Sequence, residues 1–248
     1  HNKHLVPGPL ANATASSGVS GVFEVGALVE RANAIYGVFG TTIKVYTTST
    51  DSWDTPTGSP SALPEVATSS INFRIANVEY IAFAHGTGYT YFNGTSWVTD
   101  TTFRTKYLAF WHDRLWGIGD TGLLWSASVL GSETADAQLP LPNDFVTNLF
   151  TARHPSGDIV LFAATLRGVF IHDFDNTLWN DTELELPYHP QNGLGAQRWQ
   201  DSVYVSSGLG VYRYVNGQNN ALITTVGPDK DHGLPADRRG VIRQLLSS

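Results

Sequence analysis

Two polar segments of the sequence carry oxygen and nitrogen ligands at a spacing that could hold a metal ion. Asp173 and Asp175 alternate along an extended segment, so both carboxylates could face one Ca²⁺ ion. Asp229, Asp231 and His232 cluster in a loop bounded by proline and glycine. Each segment also has the composition of a solvated turn, and we favour that interpretation over metal binding. The sequence therefore predicts no cofactor, with a calcium site at either segment as the alternative.

Three arginines could together bind the carboxylate of an acidic sugar. Arg74, Arg153 and Arg198 fall on three of the five segments that we assign below to inner strands. A guanidinium group pairs well with a carboxylate, and a sialidase would need three such groups at one site. The sequence has no nucleophilic tyrosine with a glutamate partner at a recognisable spacing, and no Gly-x-Ser-x-Gly or HExxH motif. We therefore expect no enzyme activity, with a sialidase- or glycosidase-like hydrolase as the alternative.

Aromatic residues offer a different kind of binding surface. Phe, Trp and Tyr make up 12% of the chain, and Trp111, Trp116 and Trp125 cluster within one short region. Such rings can stack on sugars in a loop-lined pocket, although packing in the protein interior is their more common role. Between two apolar strands of the same region, His112 and Asp113 place ionisable groups side by side. We interpret this pair as a hairpin turn rather than an acid–base site.

Composition and charge exclude several classes of protein. The absence of cysteine rules out disulfide frameworks and thiolate metal sites. The net charge of −7 argues against a nucleic-acid partner, which needs a basic surface. No apolar run approaches the roughly 20 residues of a membrane-spanning helix, so we expect no membrane span. With 42% hydrophobic and only 15% charged residues, the chain is predicted to fold.

Five similar units must position these residues. Each unit has a short apolar strand, a glycine-containing turn and a second strand in which apolar and polar residues alternate. The first strands begin at positions 34, 80, 114, 159 and 202, which gives steps of 46, 34, 45 and 43 residues. This spacing matches the four-stranded blade of a β-propeller, which has roughly 40–50 residues. The sequence therefore predicts an all-β propeller of four-stranded blades.

The other two strands of each blade can also be placed. Before each hairpin lies a candidate inner strand, and these candidates are 22–30, 71–78, 105–111, 147–153 and 194–199. After the hairpin, three units carry an aromatic residue, a polar turn and a tryptophan, namely Trp53, Trp97 or Trp179. We expect the two rings of each such unit to pack between neighbouring blades. In the third unit, a longer acidic loop at 128–142 replaces the turn.

The predicted organisation is an N-terminal arm at 1–20 and a propeller domain at 21–248. Five blades occupy approximately 21–63, 64–101, 102–142, 143–190 and 191–232, and a further blade begins at 233–248. A propeller closes its ring, because open sheet edges invite aggregation. We therefore expect the chain to be a fragment or cleavage product of a longer protein with six to eight blades, with completion of the last blade by N-terminal residues as the alternative.

Two resemblances accompany this pattern. The units of aromatic residue, turn and tryptophan resemble the repeats of Kelch and Asp-box propellers. Over about residues 100–248, AFWHDRLWG at 109–117, LWSAS at 124–128 and PNDF at 142–145 are similar to segments of bacteriophage tail and adsorption proteins. The stretch GLPADRRG at 233–240 looks like the linker that opens a further blade in such proteins. This second resemblance implies a propeller that belongs to a virus particle.

These observations together predict a structural or binding propeller. Its expected location is a virion or another extracellular setting, where symmetric copies dock to other virion proteins or to a glycan or receptor on a host surface. A secreted glycan-binding propeller is the first alternative, and the hydrolase is the second.

Overall fold

Four-stranded antiparallel sheets form the architecture of the part of the chain that the structure describes. The structure, a computed structural model, describes residues 25–140, 145–154, 157–199, 202–207, 210–217 and 220–226. These residues contain twenty β-strands, and none of them belongs to a helix long and apolar enough to cross a membrane. The strands form five sheets, and within each sheet consecutive strands pair side by side in chain order. This arrangement confirms the predicted all-β propeller of four-stranded blades.

The five blades follow one another along the chain. Blade 1 contains β1 to β4 at Val25–Arg31, Ala34–Phe39, Thr42–Thr47 and Ser52–Asp54. Blade 2 contains β5 to β8 at Ser69–Ile75, Val78–Ala84, Tyr89–Phe92 and Trp97–Asp100. Blade 3 contains β9 to β12 at Tyr107–Trp111, Arg114–Ile118, Leu123–Ala127 and Thr134–Gln138. Blade 4 contains β13 to β16 at Val146–Arg153, Ile159–Thr165, Gly168–Asp173 and Leu178–Glu185. Blade 5 contains β17 to β20 at Gln197–Trp199, Ser202–Ser207, Gly210–Gly217 and Asn220–Val226.

The outer strand of blade 3 corrects the sequence prediction. The acidic loop expected at 128–142 contains β12, which pairs with β11 across an irregularity between Leu123 and Trp125. Thr134–Gln138 contains two alanines and one aspartate, and Thr134 is its only β-branched residue, so it has few of the residues that mark most strands. The predicted N-terminal arm at 1–20 and the start of a further blade at 233–248 lie outside the described residues.

Apolar cores between successive blades hold the sheets together. The inner strands pack side by side in order, β1 on β5, β5 on β9, β9 on β13 and β13 on β17. Between blades 3 and 4, for example, Trp116 and Ile118 meet Leu149, Leu161 and Trp179. Fully burying one large apolar side chain stabilises a protein by about 1.5–3 kcal/mol. Since each core draws buried side chains from two neighbouring blades, these contacts join the blades into one fold.

Tight turns join the inner two strands of the first three blades. Strand pairing closes directly around Ala32-Asn33, Ala76-Asn77 and His112-Asp113, which leaves two-residue loops. All six residues have positive φ, between 47° and 65°, as a type I′ turn requires. The predicted hairpin turn at His112 and Asp113 is therefore confirmed. Because strand direction alternates within a blade, these turns and the turns before the outer strands lie on the same side of the propeller.

The three pairs of aromatic residue and tryptophan pack in different ways. Trp97 lies in the core between blades 1 and 2, stacked on Phe92 with ring centroids 4.7 Å apart, as expected. Trp179 lies in the core between blades 3 and 4, whereas its partner Phe174 remains 40% exposed. Trp53 packs on Phe39 of its own blade and belongs to none of the cores between the described blades. Packing between blades is thus confirmed for one complete pair.

Candidate functional site

An open cleft lies between blades 3 and 4, with a volume of about 840 Å³. Its walls come from the turn between β9 and β10, the turn between β13 and β14, and the turn between β15 and β16. All three turns lie on the same side of the propeller, so their side chains converge without any long loop. The cleft therefore depends on the blade interface beneath it for its shape.

Aromatic rings form one wall of the cleft. The His112 ring lies 4.3 Å from the Trp111 ring and 4.7 Å from the Phe174 ring, measured between centroids. The φ of +49° at His112 places its ring beside Phe174 instead of in the sheet. Trp111 is only 5% exposed, and its Nε1 donates a hydrogen bond of 2.7 Å to the carbonyl of Ile159. His112 and Phe174 are thus the rings that solvent reaches, and Trp111 supports them.

A buried histidine lies at the base of the same wall. His172 is 2% exposed and packs between the rings of Trp116 and Trp179, each with its centroid 5.1 Å away. Its Nε2 is 2.7 Å from Oδ1 of Asp136, which lies on the outer strand of blade 3. Since a carboxylate can only accept, Nε2 carries the proton and donates it in this bond. His172 and Asp136 thereby connect the two blades that form the cleft.

The protonation state of His172 follows from its surroundings. Burial lowers the pKa of His172 below its usual value, although the hydrogen bond to Asp136 opposes that shift. The imidazole is therefore neutral at neutral pH, with its proton on Nε2. The other ring nitrogen, Nδ1, is buried and has no hydrogen-bond partner among the described residues. An unpaired buried nitrogen is unusual in a folded protein, and this one belongs to a residue that lines a cleft.

Charged groups surround the opening of the cleft. Asp113, Asp158, Asp173 and Asp175 supply four carboxylates, and Arg153 supplies one guanidinium group. All of these residues are exposed except Asp173, which is partly buried. A hydrogen bond from the side chain of Asn176 lowers the pKa of Asp173, so this carboxylate stays ionised. The opening of the cleft thus carries a net negative charge.

The predicted ligand-binding tryptophans do not all reach the cleft. Trp111 lines it, but Trp116 and Trp125 are both 0% exposed, so their predicted role in ligand binding is wrong. The indole nitrogen of each is already bonded, to the carbonyl of Trp111 and to Oγ1 of Thr105 respectively. Both rings fill cores between blades, which explains why they cannot stack on a ligand.

The three predicted arginines lie on strands of three different blades. Arg74 lies on β5 of blade 2 and Arg153 on β13 of blade 4, with blade 3 between them. Arg153 lines the cleft, whereas Arg74 does not. Arg198 belongs to β17, and its side chain lies outside the described residues. All three arginines thus lie on inner strands, as expected, and the sialidase-like arrangement stays a prediction.

The predicted calcium site at Asp173 and Asp175 is not supported. Oδ1 of Asp173 accepts hydrogen bonds from the backbone N–H groups of Asp175 and Asn176, each 3.1 Å long, as in a hairpin turn. Among the described residues, no group of three or more acidic, histidine or cysteine side chains could hold a metal ion. The other predicted ligands, Asp229, Asp231 and His232, lie outside the described residues.

Sequence reasoning missed part of the cleft. His112 and Asp113 were expected only to form a turn, and Phe174 only to pack between blades. The pair of His172 and Asp136 gave no signal, because its members are 36 residues apart and meet through the packing of two blades.

Comparisons with known proteins support the fold. No protein-family model matches the chain, and no curated protein matches it. Solved structures do: two extracellular domains of putative hybrid two-component systems from B. thetaiotaomicron are similar, with TM-scores of 0.59 and 0.64 and sequence identities of 14% and 12%. These matches cover 82% and 94% of this chain. YCF48 bound to the D1 peptide is also similar, with a TM-score of 0.52, 12% identity and 81% of this chain covered.

The similar structures are longer than this chain. The matches cover 27% and 32% of the two extracellular domains and 66% of YCF48. At such low sequence identity, the similarity shows the propeller fold and nothing about ligands. The resemblances to Kelch repeats and to bacteriophage virion proteins stay predictions.

Proposed function

We propose that this chain is a non-enzymatic binding β-propeller that contacts a glycan through the cleft between blades 3 and 4. The observation that supports this most directly is the wall formed by His112 and Phe174 at an open cleft. Phe174 is 40% exposed although a large apolar ring gains stability from burial. A ring held beside a polar opening suits stacking on the face of a sugar, with nearby carboxylates accepting hydrogen bonds from its hydroxyl groups.

A catalytic role has less support than a binding role. A hydrolase of the sialidase kind needs its arginines at one site, and of Arg74 and Arg153 only Arg153 lines this cleft. The cleft presents a rigid surface formed by turns, as a binding module does. Its buried groups, Trp111 and His172, have hydrogen bonds that hold the wall in place.

The setting that we propose is extracellular, on the surface of a bacteriophage particle that contacts host glycans. The segments at 109–117, 124–128 and 142–145 support this through their resemblance to tail and adsorption proteins. Peptide mass spectrometry of purified particles from the source virus would test it, and finding no peptide of this chain would argue for a secreted propeller. Light scattering of the purified protein would show whether several copies associate.

Replacing Phe174 by alanine should weaken glycan binding by about tenfold, since tenfold corresponds to the roughly 1.4 kcal/mol that one stacked ring can supply. Isothermal titration with the oligosaccharide that binds most tightly in a glycan-array screen would measure the change. Tyr188→Ala is the matched control, because Tyr188 is 62% exposed and does not line the cleft. Equal loss in both variants, or no loss in Phe174→Ala, would show that the cleft does not bind the glycan.

A further inference from the structure

The polar atoms of the cleft specify the charge of its ligand. We propose, building on the proposed function, that the cleft between blades 3 and 4 recognises an amino sugar with a free ammonium group. The inference rests on three features of the cleft: its hydrogen-bond acceptors, its charge and its exposed aromatic ring.

Acceptors dominate the cleft. The carboxylates of Asp113 and Asp175 can accept hydrogen bonds but cannot donate them. His172 adds a buried acceptor, because its Nε2 donates to Asp136 and its Nδ1 therefore carries a lone pair. This lone pair has no donor among the described residues, although a buried nitrogen normally has one. A ligand that satisfies these groups has to bring several donors, and an ammonium group brings three.

The charge of the cleft favours the same ligand. Four carboxylates face one guanidinium group, that of Arg153, so an anionic sugar would be repelled and a cationic sugar attracted. The exposed ring of Phe174 adds to this preference, since a cation is attracted to the face of an aromatic ring. Acceptors, charge and ring thus all select a positively charged group.

A second cleft in the propeller allows a comparison of how the polar groups of each cleft are hydrogen-bonded. It lies between blades 1 and 2 and is smaller, about 520 Å³, with Glu30 and Glu79 among its lining residues. There Asn72 donates a hydrogen bond to the Glu79 carboxylate, and Arg31 donates one to the Glu79 carbonyl. The cleft between blades 3 and 4 instead retains an unpaired buried acceptor.

Two oligosaccharides that differ only in the amine test this inference. We would titrate the protein with a tetramer of β-1,4-linked glucosamine and with the same tetramer fully N-acetylated. At about pH 6, below the usual pKa of an amino group, the first tetramer is cationic and the second neutral. The glucosamine tetramer should bind at least about tenfold more tightly, and added salt should reduce that difference because it screens charges.

Matched variants test whether the preference for the free amine arises from carboxylates of this cleft. Asp113→Asn combined with Asp175→Asn should remove most of the preference for the free amine, because both carboxylates line the cleft. Glu185→Gln is the control, since this exposed carboxylate lies on the same blade and outside the cleft. The control should keep the full preference.

Three results would overturn the inference in distinguishable ways. Equal or tighter binding of the N-acetylated tetramer would exclude amine recognition and leave glycan binding intact. Tighter binding of a lysine tetrapeptide than of the glucosamine tetramer would identify a protein partner instead of a sugar. If neither tetramer binds and no glycan on the array binds, the proposed function itself fails.

Discussion

Replacing Trp125 by alanine should lower the free energy of unfolding by about 3–5 kcal/mol, the range for removing a large aromatic side chain from a core. Trp125 is 0% exposed and lies in the core between blades 2 and 3. Its ring stacks on that of Tyr89, with centroids 5.1 Å apart, and its Nε1 donates to Oγ1 of Thr105. The substitution therefore removes packing on both blades and leaves a buried hydroxyl without its donor.

Urea unfolding followed by circular dichroism would measure the loss from Trp125→Ala. The control is Tyr188→Ala, an exposed aromatic residue whose ring centroid lies 5.5 Å from the Arg167 guanidinium. Its replacement should change the free energy of unfolding by no more than about 1 kcal/mol. A loss at Trp125 no larger than that of the control would show that the interface between blades 2 and 3 is not packed as described.

Gly117→Ala should destabilise the fold by about 1–3 kcal/mol, the usual cost of overpacking a core. Gly117 lies on β10 directly opposite Trp125 on β11, and the indole ring covers it. A Cβ atom at Gly117 would lie 2.2 Å from Cζ2 of Trp125, closer than two carbon atoms can approach. The ring would have to leave a buried position, which explains the cost.

A double substitution separates this clash from a general effect of alanine. When Trp125→Leu is already present, adding Gly117→Ala should cost less than it does alone, with a coupling of about 0.5–3 kcal/mol. Gly168→Ala serves as the control, because the nearest atom to its Cβ would be the carbonyl oxygen of Leu184 at 3.4 Å. Additive losses from the two substitutions would contradict the described contact of Gly117 with Trp125.

The repeated spacing of the sequence was enough to predict the fold, because each blade repeats the same pattern of strands and turns. The exception is β12 at Thr134–Gln138, whose composition is that of a loop and which becomes a strand by pairing with β11. Tertiary context thus decided the structure where local preference was weak.

The candidate site was predictable only in part, because sequence spacing does not show which blade face a ring occupies. Trp116 and Trp125 are close in the sequence, yet Trp116 packs toward blade 4 and Trp125 toward blade 2. Trp111 reaches the cleft because it precedes the turn at His112. The contact of His172 with Asp136 depends on how two whole blades meet, which no local pattern encodes.

Fluorine NMR of the protein labelled with 5-fluorotryptophan would show whether the cleft between blades 3 and 4 binds a glycan. The chain has seven tryptophans, and Trp111→Phe and Trp125→Phe variants would assign the two signals needed. On titration with the oligosaccharide that binds most tightly in the array screen, the Trp111 signal should shift to saturation while the Trp125 signal stays unchanged. A Trp111 signal that does not move while calorimetry records binding would contradict the account.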